Sequence, residues 1–92
     1  MNRPYAVELT TAAVRDLREL DSAGRRRIGA ALDDLARQED PYRHVKHLHG
    51  SPGSAFHALR VGDYRVILTI EDAVMVIFVI EIEHRSTAYR RF

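Results

Sequence analysis

The chain has 92 residues, of which 46% are hydrophobic and 29% are charged, a balance that is typical of a folded globular protein and excludes a disordered chain. This length supports one hydrophobic core, so we predict a single domain over residues 1–92. The absence of cysteine excludes a disulfide scaffold and a thiolate metal site, and the net charge of only +1 does not by itself indicate a polyanionic partner.

The N-terminal residues do not resemble a targeting signal. Residues 1–4 lead directly into a strand-like segment, Tyr5–Thr10, in place of an apolar signal core. The longest apolar run, residues 73–80, is too short to cross a bilayer as a helix and predicts a buried strand. We therefore expect a cytoplasmic protein that does not insert into a membrane.

Two short amphipathic helices are predicted after this first strand. Thr10 or Thr11 can cap the first helix, whose apolar residues recur at helical spacing: Ala13, Val14, Leu17 and Leu20. Asp21–Ser22 interrupts the pattern and can cap a second helix, whose apolar stripe is Ile28, Ala31, Leu32 and Leu35. Pro41 prevents continuation, so we expect an antiparallel helix hairpin.

The second half of the chain is predicted to be a loop followed by strands. Residues 42–54 show no periodicity and contain glycine, proline and several histidines, which indicates a loop. Three strands follow at residues 55–61, 64–70 and 74–83, joined by a two-residue hairpin at Gly62–Asp63 and a tight turn at Glu71–Asp72. The predicted fold class is α+β: an N-terminal strand, the helix hairpin, antiparallel strands that complete a small curved sheet, and a short C-terminal tail or helix.

The hairpin register places two arginines opposite each other. If Val61 faces Tyr64, then Arg60 faces Arg65 on the sheet face that the helices leave open, and two like charges in that position cost stability. The other face holds the residues that we expect the helices to cover: Leu59, Val61, Val66, Leu68 and Ile70. Two interpretations of the arginines remain. Each arginine bridges to Glu81 or Glu83 on the neighbouring strand, or the two guanidinium groups together clamp a phosphate.

The residues behind the last strand combine three kinds of chemistry. His84 can exchange protons near neutral pH, Arg85 and Arg90 can bind phosphate, and Tyr89 can stack on a base or donate a proton. In the loop, Lys46 and His49 can contact a phosphate backbone. This combination favours an RNA-directed function over a purely structural one.

The hairpin "LRVGDYRVIL", the apolar strand after it and the ending "EHRSTAYRRF" together resemble the RelE/ParE superfamily of type II toxins, and its RelE branch more than its ParE branch. The resemblance covers nearly the whole chain. It implies a small endoribonuclease that enters the ribosomal A site, cleaves mRNA there and inhibits translation. It also implies a cognate antitoxin, RelB-like or similar, that wraps the toxin through an extended segment.

Candidate site residues follow from this resemblance. Arg65 matches the arginine that stabilises the transition-state phosphate, Tyr89 matches the tyrosine beside the scissile nucleotide, and Arg85 with His84 matches a recurrent pair in the tail. The predicted catalytic residues are therefore Arg65, Tyr89, Arg85 and His84. The predicted RNA-binding residues are Arg60, which matches a common basic position, and Lys46, His49 and Arg90.

Two departures from the family pattern concern the catalytic residues themselves. Phe56 and Ala58 stand where well-studied ribonucleases of the family have lysines, and Glu83 stands where they have a catalytic arginine. These replacements bear directly on the strength of cleavage.

Cleavage of RNA by its own 2′-hydroxyl needs a base, cations at the phosphorus and an acid for the 5′-oxygen. Candidate bases are His84, His57, His49 and Glu83, although alternation turns His57 towards the helix-covered face. Arg65 with Arg60 or Arg85 can form the clamp, and Tyr89 or a histidine can serve as the acid. This chemistry requires no metal, and no cofactor is predicted.

Two alternative functions use the same fold. A ParE-like protein inhibits DNA gyrase by binding it, and a catalytically degenerate toxin acts only as an antitoxin-binding module. An antitoxin helix would need an apolar surface, so we expect an exposed apolar groove on the helix hairpin.

Overall fold

The computed structural model describes residues 4–48 and 55–84, and the fold it shows is the predicted α+β class. Strand β1 is Ala6–Leu9, helix α1 is Thr11–Arg18 and helix α2 is Ser22–Ala36. A 3₁₀ helix at Pro41–His44 precedes strand β2, which is Lys46–His47. The remaining strands are β3 at His57–Val61, β4 at Tyr64–Glu71 and β5 at Val76–His84. None of the described helices is long and apolar enough to cross a membrane.

The five strands form one mixed sheet in the order β1-β5-β4-β3-β2. Strand β1 runs parallel to β5, and all other neighbours are antiparallel. The prediction of a loop throughout residues 42–54 was wrong in its first part. Pro41 begins a 3₁₀ turn, because proline is preorganised for a first helical position, and Lys46–His47 then pairs with β3.

Both predicted helix caps are present. The Thr10 hydroxyl accepts a hydrogen bond from the Ala13 amide, which selects Thr10 over Thr11 as the cap of α1. The Asp21 carboxylate accepts from the Gly24 amide and caps α2. The turn Glu19–Asp21 is short enough to bring both helices onto one face of the sheet, where α1 contacts β5 and β1 while α2 contacts β1 and β3.

The core lies between the helices and the inner strands of the sheet. It is built mainly from aliphatic side chains of α2, β4 and β5: Ile28, Leu32, Leu35, Val66, Leu68, Ile70, Ile77, Val79 and Ile82. The expected apolar groove on the helix hairpin is not found in the described residues, because the large apolar side chains of both helices are buried or half-buried. The exposed large apolar side chains lie elsewhere, at Leu9, Tyr42, Phe56, Val74 and Met75.

A β-bulge in β5 separates the two ends of its pairing with β4. Ile67 pairs with Glu81 but Leu68 pairs with Val79, so Ile80 is the extra residue. Strand β1 is too short to cover the β5 edge beyond this point, and α1 supplies the missing partners. The Thr10 hydroxyl donates to the Ile80 carbonyl at 2.6 Å, and Asp16 accepts from the Ile82 amide at 3.0 Å. Side chains therefore satisfy an edge that would otherwise expose unpaired backbone groups.

One carboxylate joins three distant segments at the opposite end of the sheet. Asp72 accepts a hydrogen bond from the Tyr5 hydroxyl at 2.7 Å, and the Tyr42 hydroxyl lies 3.1 Å from both Asp72 Oδ2 and the Ile70 carbonyl. The predicted tight turn at residues 71–72 is a longer connection, a 3₁₀ turn at Asp72–Val74 followed by Met75 in the left-handed conformation (φ 55°). This arrangement turns the Asp72 side chain towards both tyrosines.

The Tyr5→Phe variant tests this connection. Loss of the hydrogen bond should lower the free energy of unfolding by about 1 kcal/mol at neutral pH. The hydrogen bond to Asp72, together with burial, raises the pKa of Tyr5 from 10.0 to about 12. The folded state therefore favours the protonated hydroxyl, so the Tyr5 contribution is fully present below pH 10 and is lost as the pH rises towards 12.

Urea denaturation of the wild type and of Tyr5→Phe between pH 7 and 12 measures this contribution, and the gap between the two curves should close above pH 10. The matched control is Tyr64→Phe, whose hydroxyl has no hydrogen-bond partner among the described residues. A gap that is independent of pH would contradict the assigned role of Asp72.

Candidate functional site

Three of the predicted site residues lie on one face of the sheet, the face opposite the helices. Arg60 pairs directly with Arg65, as predicted from the hairpin, and Lys46 pairs with Ala58, two residues before Arg60. Gly62 adopts a positive φ of 58° at the hairpin turn, which sets this register. Lys46, Arg60 and Arg65 therefore share one surface, which we call the basic face.

Arg65 is held by a buried carboxylate on the neighbouring strand. Its Nε and Nη2 atoms donate to Glu83 Oε1 at 2.9 and 2.6 Å. The Glu83 side chain is only 5% exposed, whereas that of Arg65 is 41% exposed. The bridge to Glu83, one of the two interpretations of this arginine, is therefore present. Because guanidinium carries five N–H donors, three remain for another ligand.

Arg60 differs from Arg65 in its surroundings. It is exposed, and within residues 4–48 and 55–84 it forms no ion pair. The Glu83 carboxylate offsets one of the two like charges that face each other across the hairpin, which reduces their mutual repulsion. The pair thus combines one fixed guanidinium with one that extends freely into solvent.

The basic face is less open than the sequence suggested. Ala58 and Ile67, which pair with each other in its centre, are only 8% and 6% exposed, and Glu83 is buried as well. Its accessible side chains include Lys46 and Arg60, which are exposed, and Arg65, which is half-buried. A ligand on this face would therefore meet these three charged groups.

His84 lies on the other face from Arg65. It pairs with Tyr64 at the end of the strands, and the two rings meet edge to face with centroids 5.1 Å apart. Both rings line an open cavity of about 340 Å³, together with Leu20, Ile82 and three carboxylates, Asp16, Glu19 and Asp21. Carboxylates repel a phosphate, so the immediate surroundings of His84 do not favour one.

His57 occupies the half-buried position expected from alternation. It pairs with Leu68, a core residue, and its ring contacts those of His47 and Tyr42 edge to face. The structure therefore does not bring His57 together with Arg65. Four further predicted site residues, His49, Arg85, Tyr89 and Arg90, lie outside the described residues and stay predictions.

The sequence already held the signal for part of this arrangement. Residues 83 and 84 are consecutive in one strand, so their side chains must point to opposite faces. Extension of the predicted strand by one residue, from Glu83 to His84, would have separated His84 from Arg65. The burial of Glu83 had no comparable signal, because it depends on the surroundings that the folded sheet creates.

Comparison with known proteins identifies the family. The family described as ParE toxin of type II toxin–antitoxin system, parDE, matches residues 7–89. Toxin RelG of Mycobacterium tuberculosis is 35% identical over 91 residues, which cover 96% of this chain and 99% of the relative. Toxin RelE of the same organism is 34% identical over 92 residues, which cover 97% and 90% respectively.

Solved structures agree with the sequence relatives. The toxin–antitoxin complex RelBE2 from Mycobacterium tuberculosis contains a chain with a TM-score of 0.79 and 30% identity, covering 94% of this chain and 97% of that one. The archaeal RelE–RelB complex from Pyrococcus horikoshii gives a TM-score of 0.72 with 27% identity, covering 89% and 96%. Sequence and fold lead to one conclusion: the chain belongs to the RelE/ParE family of type II toxins and is RelE-like.

Proposed function

We propose that this chain is a ribosome-dependent endoribonuclease that cleaves mRNA in the A site and so inhibits translation. The observation that carries the proposal is the geometry of Arg65. Its guanidinium is fixed by the buried Glu83 carboxylate, keeps three N–H donors and faces outward beside Arg60. Such a pair suits a phosphate that gains negative charge in a transition state.

In the proposed reaction the 2′-oxygen attacks the adjacent phosphorus and the 5′-oxygen leaves. Arg65 and Arg60 bind the non-bridging oxygens as charge develops on them, and Lys46 contacts the RNA backbone on the same face. His49 is the proposed base that takes the 2′-hydroxyl proton, since His84 lies on the other face from Arg65, and Tyr89 is the proposed acid that protonates the leaving 5′-oxygen. Arg85 is a further cation of the clamp, and Arg90 is an RNA contact. No step requires a metal ion.

Glu83 has two opposite effects in this proposal. It restricts the rotamers of Arg65 and so reduces the entropy lost when the guanidinium binds a phosphate. It also places a negative charge where the family pattern has a catalytic arginine, which weakens the attraction for RNA. We infer that the chain retains the positioning of Arg65 and cleaves more slowly than relatives with the arginine.

An antitoxin is the second proposed partner. The solved structures most useful for comparison are toxins bound to RelB antitoxins, from Mycobacterium tuberculosis and Pyrococcus horikoshii. Because this chain matches nearly the full length of both toxins, we propose that a RelB-like antitoxin binds and neutralises it.

One observation favours a different target. The family that matches residues 7–89 is described as the ParE toxin. In addition, the Arg65–Glu83 ion pair has no net charge. A ParE-like protein that inhibits DNA gyrase by binding would not need an arginine free for catalysis. This alternative predicts inhibition of gyrase-catalysed supercoiling with intact mRNA.

The Arg65→Ala variant tests the nuclease proposal in a purified translation reaction. Ribosomes are stalled at defined codons and the 5′ ends of the mRNA are mapped by primer extension. The wild type should cut within the A-site codon, and Arg65→Ala should reduce the rate by about 10²–10³-fold, the usual effect of removing one transition-state donor. Arg26→Ala, an exposed arginine on α2, is the matched control and should cut at the wild-type rate.

Two results would count against the proposal. Intact mRNA with the wild-type protein would exclude cleavage under these conditions and make gyrase supercoiling the next assay. Cutting by Arg65→Ala at the wild-type rate would remove Arg65 from the site while leaving the nuclease activity itself established.

Loss of Arg65 should also change stability, because it leaves the buried Glu83 carboxylate without its guanidinium. We expect Arg65→Ala to lower the free energy of unfolding by about 1–3 kcal/mol, since a buried acceptor loses charge-assisted hydrogen bonds. Arg65→Ala/Glu83→Gln should regain part of that loss, because a neutral amide costs less to bury than a carboxylate. Arg60→Ala should change stability by less than about 0.5 kcal/mol.

Denaturant titration of the four proteins measures these differences, and it also shows that Arg65→Ala is folded in the cleavage assay. If the double variant were no more stable than Arg65→Ala, the carboxylate would not be the source of the loss.

A further inference from the structure

Two histidines face each other across the β2–β3 pairing, away from the basic face. His47 is directly opposite His57, and their ring centroids are 5.1 Å apart with an angle of 69° between the ring planes. His47 is exposed and His57 is half-buried. The pair is therefore accessible from solvent at the edge of the sheet, and the proposed nuclease reaction uses neither ring.

The separation of the rings matches that of two imidazoles on one metal ion. With metal–nitrogen distances of about 2.0–2.1 Å and a tetrahedral angle, two coordinated rings have centroids about 5.2 Å apart. The observed separation is 5.1 Å. The centroid separation is therefore compatible with a shared ion once the rings rotate to direct a nitrogen of each at it.

A hydrogen bond also prepares His57 to act as a ligand. Its Nδ1 atom lies 3.0 Å from the Ala55 carbonyl oxygen, which can only accept, so Nδ1 carries the proton. In the neutral ring this leaves the lone pair on Nε2. Metal-bound histidines characteristically donate their other ring N–H in this way, which fixes the tautomer and the orientation of the ring.

Tyr42 also packs against His57. The Tyr42 ring lies edge to face with the His57 ring at a centroid distance of 5.4 Å. The Tyr42 hydroxyl is in turn anchored by Asp72 and the Ile70 carbonyl. The position of the His57 ring is thus set by a carbonyl, an anchored tyrosine and the facing histidine.

We propose that His47 and His57 form a binding site for a borderline divalent transition-metal ion such as Zn²⁺ or Ni²⁺, for which imidazole is a preferred ligand. Among the described residues no group of three or more His, Asp or Glu side chains is placed to hold a metal. The described residues thus supply two ligands from these rings, and water can occupy other positions of the coordination sphere. The ion would join the two-residue strand β2 to β3 and so fix Lys46, the neighbour of His47 on the basic face.

Isothermal titration of untagged, EDTA-treated protein with ZnCl₂ tests the site. The wild type should bind zinc, and its Tm should rise when zinc is added, because the ion binds the folded state. His47→Ala and His57→Ala should each weaken zinc binding at least tenfold. His44→Ala is the matched control, because His44 is an exposed histidine of the same segment outside the pair, and it should bind like the wild type.

A second measurement shows which rings bind. Substoichiometric Ni²⁺ should broaden the NMR ring resonances of His47 and His57 selectively in the wild type. Unchanged zinc affinity in the His47→Ala/His57→Ala double variant would overturn the proposal. The proposal would also be overturned if His44→Ala weakened zinc binding as much as His47→Ala does. Circular dichroism in EDTA checks that each variant is folded. His47 is exposed, so His47→Ala should fold. If His57→Ala does not fold, the zinc affinity of His47→Ala decides the question.

Discussion

The antiparallel pairing of β4 with β5 is the constraint on which the rest of the structure depends. It joins Tyr64–Glu71 to Val76–His84 and supplies six of the core side chains, so the helices have a continuous apolar surface to cover. The same pairing places Arg65 beside Glu83 on the opposite face. Because side chains alternate along a strand, one register decides both the core and the ion pair, and a slip of one residue would exchange them.

The ends of the sheet are completed by side chains from other elements. At the bulge, β1 is too short to pair with β5. The side chains of Thr10 and Asp16 form hydrogen bonds with the Ile80 carbonyl and the Ile82 amide in its place. At the other end, Asp72 gathers Tyr5 and Tyr42 around the β4–β5 turn. Three of these contacts join residues more than 60 positions apart, so they tie the two ends of the chain to one five-stranded sheet.

The charge on the basic face is more nearly balanced than a count of arginines suggests. Arg65 is paired with a buried carboxylate, whereas Lys46 and Arg60 are exposed. An arginine in place of Glu83 would raise the net charge of this face by two, because one negative charge is lost and one positive charge is gained. The identity of this one residue therefore changes the net charge of the basic face by two, while the fold stays the same.

The sequence by itself determined the fold class, the start of each helix to within one residue and the pairing of Arg60 with Arg65. The helix starts and the arginine pairing depend on residues close together in the chain. Cap residues, helical spacing and the Gly62–Asp63 turn are local signals. It did not predict strand β2, the parallel place of β1 or the 3₁₀ turn at Asp72, since these depend on contacts between distant segments. Only the tertiary structure decided which charges are buried: Glu83 is buried in the folded protein, and its carboxylate accepts two hydrogen bonds from Arg65 on the neighbouring strand.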